Sequence, residues 1–173
     1  MVVLLALLLR ETAMKWVTRE RPKIDRIACP WLITRFVDHT PEFLFVPAAD
    51  VLAVARTAEA VPFDVPDVEL SHVGEFCSFD AFLHKYRLDD PTLAELALIV
   101  RGADTARLEL APQAAGLLAI SLGLSHLFED DHEMLRNGMV VYDALYVWCQ
   151  HAHGESHTWN PDALRVVTSR TFG

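Results

Sequence analysis

The chain has 173 residues, 52% hydrophobic and 23% charged, a profile that fits one globular domain and excludes wholesale disorder. A net charge of −9 argues against direct nucleic-acid binding, because such proteins neutralise phosphates with clustered Lys and Arg. The three cysteines, Cys29, Cys77 and Cys149, are widely spaced and form no CxxC pair, which excludes a disulfide framework and a zinc knuckle and leaves free thiols in a reducing cytoplasm as the expectation.

The apolar run Val2–Leu9 is too short to span a bilayer. It lacks the preceding basic residue and the A-x-A pattern of a signal peptide. Residues 1–13 are therefore read as an apolar N-terminal extension with Met14 as a natural start, export being the alternative. Residues 14–153 form the domain, and residues 154–173, where apolar periodicity fades, form a C-terminal tail.

Lys15–Thr18 reads as a short strand, followed by the basic residues Arg19, Arg21, Lys23 and Arg26. Ile24, Ile27, Ala28, Trp31, Leu32, Arg35 and Phe36 recur with helical period, so a helix is expected over about 24–38, kinked or restarted at Pro30. Glu42–Val46 is a strand ended by Pro47, and Asp50 caps a helix to about Glu59. Pro62-Phe-Asp-Val-Pro66 is a rigid connector.

The organising stretch follows, Glu69-Leu-Ser-His-Val-Gly-Glu-Phe-Cys-Ser-Phe-Asp80. Val68, Leu70 and His72 alternate as in a strand that ends at Gly74, and Ser78 is a suitable N-cap for a helix over Phe79–Tyr86. Asp90 and Pro91 open a helix that runs to about Ala103. The strongly apolar helix from Ala111 to about Leu127 is expected to be central in the core, and Asp130 with Glu133 resembles a capping box for the last long helix. The fold class is α+β, a helix-dominated single domain with a small sheet in its N-terminal half. Trp16, Trp31, Phe79, Phe82, Tyr142, Tyr146 and Trp148 are read as core.

Three residues are candidate metal ligands: His72, Asp104 and His132. His72 ends a strand beside Gly74, which permits close approach; the plain alternative is a hydrogen-bonded structural histidine. Asp104 falls at a helix C-terminus, where the dipole disfavours a carboxylate unless a cation or an arginine such as Arg101 or Arg107 neutralises it. His132 falls in the first turn of a helix, where the dipole keeps the ring neutral and able to coordinate; a solvated surface histidine is the alternative. Two histidines and one carboxylate suit iron or manganese and leave positions for water or an oxyanion, while zinc also fits the donors.

Asp25, Glu75, Asp80, Asp131 and Glu133 are reserves for a fourth ligand or for orienting the histidines. Arg26 and Arg101 are candidates for holding a small oxyanion, with salt bridges as the ordinary role of each. Cys77 is either a redox thiol at a helix N-terminus or a small buried filler, and Cys29 and Cys149 are expected in the core. His151, His153 and His157 lie in the weakly patterned terminal segment and read as adventitious.

Trp16-Val-Thr-Arg-Glu-Arg-Pro-Lys-Ile-Asp-Arg-Ile-Ala-Cys-Pro-Trp-Leu-Ile33 resembles the opening block of the ChrB C-terminal domain. Glu42–Pro47, Ser71–Gly74 with Cys77–Asp80, Ile99–Asp104, Ala119–Leu124, Asp130–His132 and Tyr142–Tyr146 match that family, so the resemblance covers roughly residues 15–150. It implies a bacterial, cytoplasmic protein of chromate resistance and stress response. Full-length members carry an additional N-terminal regulatory domain, for which this chain has no room, so direct transcriptional control is not expected. Any catalysis would be metal-dependent oxidoreductase chemistry on superoxide or chromate. The alternative is a non-catalytic chromate sensor acting through a partner protein. A homo-oligomer is compatible with either, and no membrane partner is expected.

Overall fold

A computed structural model describes residues 13–155. The extension and tail expected from the sequence lie outside these residues apart from Ala13, Gly154 and Glu155.

The fold is α+β, with three short strands in the N-terminal half followed by a helical remainder. β1 (Lys15–Arg19) lies between β2 (Glu42–Val46) and β3 (Val61–Pro62), and all pairings are parallel. Parallel neighbours require crossovers, supplied here by helices. The first is α1 (Asp25–Leu32), continued by a π-helical turn over Ile33–Val37, and the second is α2 (Val51–Ala58). Pro30 is the sixth residue of α1, past the first turn, so its missing N–H leaves the Arg26 carbonyl without the usual i+4 donor. The Pro30 carbonyl accepts the Thr34 hydroxyl at 2.8 Å.

The third strand is not where alternation places it. Of the stretch 68–72, Leu70 alone bridges to the 61–65 segment, pairing with Phe63, while Val73 bridges to Phe76 in a tight turn around Gly74. Asp64 and Asp67 adopt left-handed backbone (φ 52° and 63°), which bends the chain out of extended pairing. The sequence His72–Cys77 is therefore a loop, and β3 falls in the segment expected to be a connector.

α3 (Ser78–Tyr86) begins one residue earlier than expected. Cys77, not Ser78, is its N-cap, with Asp80 returning a carboxylate oxygen to the Cys77 N–H at 3.0 Å. α4 (Pro91–Asp104) is capped by Asp90, which accepts the Thr92 N–H at 2.8 Å. α6 (Asp131–His151) is capped by Asp130, which accepts the Glu133 N–H at 2.6 Å.

The main core collects Trp16, Trp31, Phe63, Phe79, Phe82, Tyr142 and Tyr146 between the sheet, α1, α3, α4 and α6, while Trp148 packs at its edge. α5 (Ala114–Leu127) is not the central helix its hydrophobicity suggested. It buries the small face of Ala114, Leu117, Ser121 and Ser125, whereas Ile120, Leu122 and Leu127 are exposed. Close approach explains the choice: a Cβ on Gly102 of α4 would sit 2.9 Å from the Ala114 Cβ, so these helices meet through their smallest residues. Among the described residues, no helix is long and apolar enough to cross a membrane.

Candidate functional site

α1 opens under constraint. Ile24 is buried and β-branched, yet has φ 40° and ψ −95°, a conformation that side-chain-bearing residues avoid. The surroundings hold it there. The Ile24 carbonyl accepts the Tyr142 hydroxyl at 2.8 Å and the Ala28 N–H at 2.8 Å. The next residue, Asp25, is thereby fixed as the first residue of α1 and is only 1% exposed.

A carboxylate this deep needs hydrogen-bond donors. The N-terminus of α3 provides them: Ser78 N–H reaches Asp25 Oδ2 at 2.7 Å and Phe79 N–H reaches Oδ1 at 3.0 Å. The Cys29 thiol lies 3.3 Å from the same Oδ1. Each carboxylate oxygen has about two acceptor directions, so Oδ2 keeps one beyond its bond to Ser78.

Two further carboxylates and one imidazole share this volume. His72 Nε2 lies 3.5 Å from Asp25 Oδ2, 3.4 Å from Asp64 Oδ1 and 3.1 Å from Asp104 Oδ2. Asp64 is also bonded by the Ser78 hydroxyl at 3.0 Å and paired with Arg19 at 2.8 Å and Arg26 at 3.2 Å. Asp104, the last residue of α4, makes no direct ion pair with an arginine among the described residues, although the Arg26 charge acts on it from a distance; Arg101 is committed to Asp80 and Arg107 to Glu75. One ring nitrogen can donate a single hydrogen, so it cannot serve three carboxylates.

The electrostatics reflect the surplus of negative charge. The His72 imidazole is raised to about 9, foremost by hydrogen bonding with Asp25 and then by the charges of Asp25, Asp104 and Asp64, against an opposing effect of partial burial. Asp104 is nearer, but Asp25 dominates because its charge is almost wholly shielded from water. Burial, followed by the charges of Asp25 and Asp64, pushes the Asp104 carboxyl up to about 7.

Asp25, His72 and Asp104 can each present one ligand atom within 4.8 Å of the other two. The structure therefore brings together two of the three residues proposed from the sequence, His72 and Asp104, and sets Asp25 beside them. His132 is the second residue of α6, and its ring packs edge-on against Phe45 of β2 with centroids 5.3 Å apart. No potential ligand group among the described residues includes it. The two helix ends expected to close on one point do not do so, because α6 packs with its middle, not its first turn, against α1.

The other reserve residues have separate partners. Asp80 takes a bidentate pair from Arg101, whose guanidinium also lies 4.6 Å from the Phe76 ring centroid. Asp131 accepts the Arg21 N–H at 3.1 Å, Glu75 pairs with Arg107, and Glu133 spends its N–H on the Asp130 cap. Of the two proposed anion-holding arginines, Arg26 adjoins the cluster through Asp64 and Arg101 does not contact it. Cys29 and Cys77 are buried free thiols, and burial pushes the ionisation of both upward, which disfavours the thiolate.

Sequence reasoning passed over Asp64 and kept Asp25 only in reserve. Both carried a signal. Asp25 shares a helical face with Ala28, Cys29 and Leu32, and Asp64 stands between Phe63 and Val65, all of them buried. An acidic residue on an apolar face must be paired or ligated.

A groove of about 760 Å³ is lined by Val73, Phe76, Leu83, Leu88, Pro91 and Ala94 among others, and none of Asp25, His72 and Asp104 lines it.

The profile of the family described as "ChrB, C-terminal domain" matches residues 16–149. Protein ChrB of Cupriavidus metallidurans is 32% identical over 133 residues, which cover 76% of this chain and 40% of that protein. The chain thus spans well under half the length of that curated relative. No solved structure matches it. Asp25, His72 and Asp104 all fall inside the matched span, and the chain belongs to the ChrB C-terminal domain family.

Proposed function

We propose that this chain is a chromate-resistance-associated metal-binding domain that holds a divalent first-row cation through Asp25, His72 and Asp104. The observation that carries the reading is the convergence of three carboxylates on one imidazole nitrogen, where the ion pairs from arginine among the described residues, those of Arg19 and Arg26, go to Asp64. A divalent cation between Asp25 and Asp104 relieves that repulsion where a single proton relieves it in part. Two oxygen donors and one imidazole suit manganese or iron better than the thiolate-preferring metals.

Such a metal supplies one-electron chemistry toward a small oxyanion such as superoxide or chromate. The chain contributes the rest. Asp25 is a rigid ligand locked by the α3 N-terminus. Asp104 and His72 complete the ligand set, with His72 the more exposed of the two, and both must give up their protons for a metal to bind. Arg19 and Arg26 place positive charge beside the site for an incoming anion.

The test uses protein without a polyhistidine tag, loaded with Mn²⁺ or Fe²⁺ and assayed for superoxide consumption and chromate reduction. Activity in the wild type and its loss in His72→Ala would support metal-centred redox function. One observation favours a second reading, a non-catalytic oxyanion sensor: among the described residues no group accepts from the buried Arg19 Nε–H, the kind of donor an oxyanion takes. Bound metal without turnover, together with chromate-dependent thermal stabilisation lost in Arg19→Lys, would favour the sensor.

A further inference from the structure

A second group of ligand-type side chains lies elsewhere, between α4 and the end of α6. Glu95 is on the second turn of α4, Cys149 on the last turn of α6, and His153 just beyond the helix end. The spacing Cys149-x-x-x-His153 puts thiol and imidazole on one side of a helical terminus. One ligand atom from each of Glu95, Cys149 and His153 lies within 4.8 Å of the others.

His153 is held in place on two sides. Its Nε2 is 2.8 Å from Glu95 Oε1, and its ring packs at a 40° tilt against Trp148 with centroids 4.4 Å apart. Cys149 is half-buried beneath them as a free thiol. A helix C-terminus directs its unpaired carbonyls outward and favours positive charge at this end.

From this geometry we infer a second metal site, formed by Glu95, Cys149 and His153 and selective for zinc. One thiolate, one imidazole and one carboxylate are the donors of a tetrahedral zinc centre with a fourth position left for water. The presence of a thiolate separates it from the oxygen-rich cluster around His72, which suits harder cations. Burial and the Glu95 charge keep the metal-free Cys149 thiol protonated, up at about 11, and a bound cation reverses that preference. Zinc here would tie α4 to the end of α6.

The experiment is Co²⁺ titration of the tag-free full chain, followed by Zn²⁺ competition, with the thiolate-to-cobalt charge-transfer band as the readout. The wild type and Asp104→Asn are expected to show the band, Cys149→Ser to lose it, and His153→Gln and Glu95→Gln to bind zinc roughly tenfold or more weakly. The Asp104→Asn arm separates this site from the His72 cluster, so either can fail alone. Absence of the band from the wild type, its survival in Cys149→Ser, or unchanged zinc affinity in both His153→Gln and Glu95→Gln would overturn the proposal and leave Glu95 and His153 as an ordinary ion pair.

Discussion

His72 Nε2 and Asp104 Oδ2 lie 3.1 Å apart, although one residue sits in a turn-rich loop and the other ends α4. Each raises a question the other answers. The carboxylate is misplaced at the negative end of a helix, and the imidazole faces more acceptors than it has hydrogens.

The pair makes the pH dependence of stability informative. His72 titrates at about 9 in the fold against an ordinary 6.5, so its contribution is complete below 6.5 and is lost as pH rises through 9. Asp104 titrates at about 7 against 3.8, so the fold also holds this proton more tightly, and that contribution is lost as pH rises through 7. Both act in one direction. The melting temperature of metal-free protein should therefore fall steadily from mildly acidic pH to pH 9, while the stabilisation from added Mn²⁺ should grow over the same interval as the metal displaces those protons. Calorimetry with and without Mn²⁺ checks this; equal stabilisation at both ends of the interval would contradict it.

Gly138 provides a packing test of how Asp25 is positioned. A Cβ there would stand 2.7 Å from Ile27 Cγ2, so Gly138→Ala should cost about 1–3 kcal/mol despite the better helix propensity of alanine. Gly123, on α5 with open space around it, should gain about 0.5–1 kcal/mol from the same change. Chemical denaturation of the two variants gives the comparison. Because Ile27 lies in the first turn of α1, two residues after Asp25, Gly138→Ala should also weaken Mn²⁺ binding, and Gly123→Ala should not.

The Tyr142 hydroxyl holds the Ile24 carbonyl from the core, so Tyr142→Phe removes the bond that fixes the strained residue before Asp25. A loss of about 1–2 kcal/mol is expected, together with weaker metal binding, by denaturation and Mn²⁺ titration. Unchanged metal affinity would mean that the α3 N-terminus alone positions Asp25.

Asp143 joins α6 to α1 by a different route, accepting the buried Trp31 indole N–H at 2.7 Å and a two-pronged contact from Arg35 at 3.0 and 2.8 Å. Asp143→Ala strands the indole donor and should destabilise by about 2–3 kcal/mol. Asp143→Asn keeps an acceptor for Trp31 and should cost less, by the same measurement.

Periodicity revealed α1, α4 and α6 in the sequence because each buries a stripe against the same core, and caps such as Asp90 marked where they begin. Hydrophobicity misplaced α5, since the length of an apolar run does not say whether large or small residues face inward. His72 and Asp104, which do lie together, stood out in the sequence because each broke a local expectation. Asp25 was legible only as a reserve, because its partners at Ser78 and Phe79 are more than fifty positions away and no local pattern announces them. His132 lies apart from the cluster for the converse reason. Its helix position suits coordination, but where that helix end lies is decided by packing along the whole of α6.

The most direct test is Mn²⁺ titration of tag-free protein, followed by the paramagnetic signal of the free ion, in the wild type and in Asp25→Asn, His72→Ala, Asp104→Asn and His132→Ala. We expect one tight site in the wild type and in His132→Ala, and its loss in the other three. Tight binding that persists without His72 or Asp104, or that disappears with His132, would contradict the assignment of this metal centre.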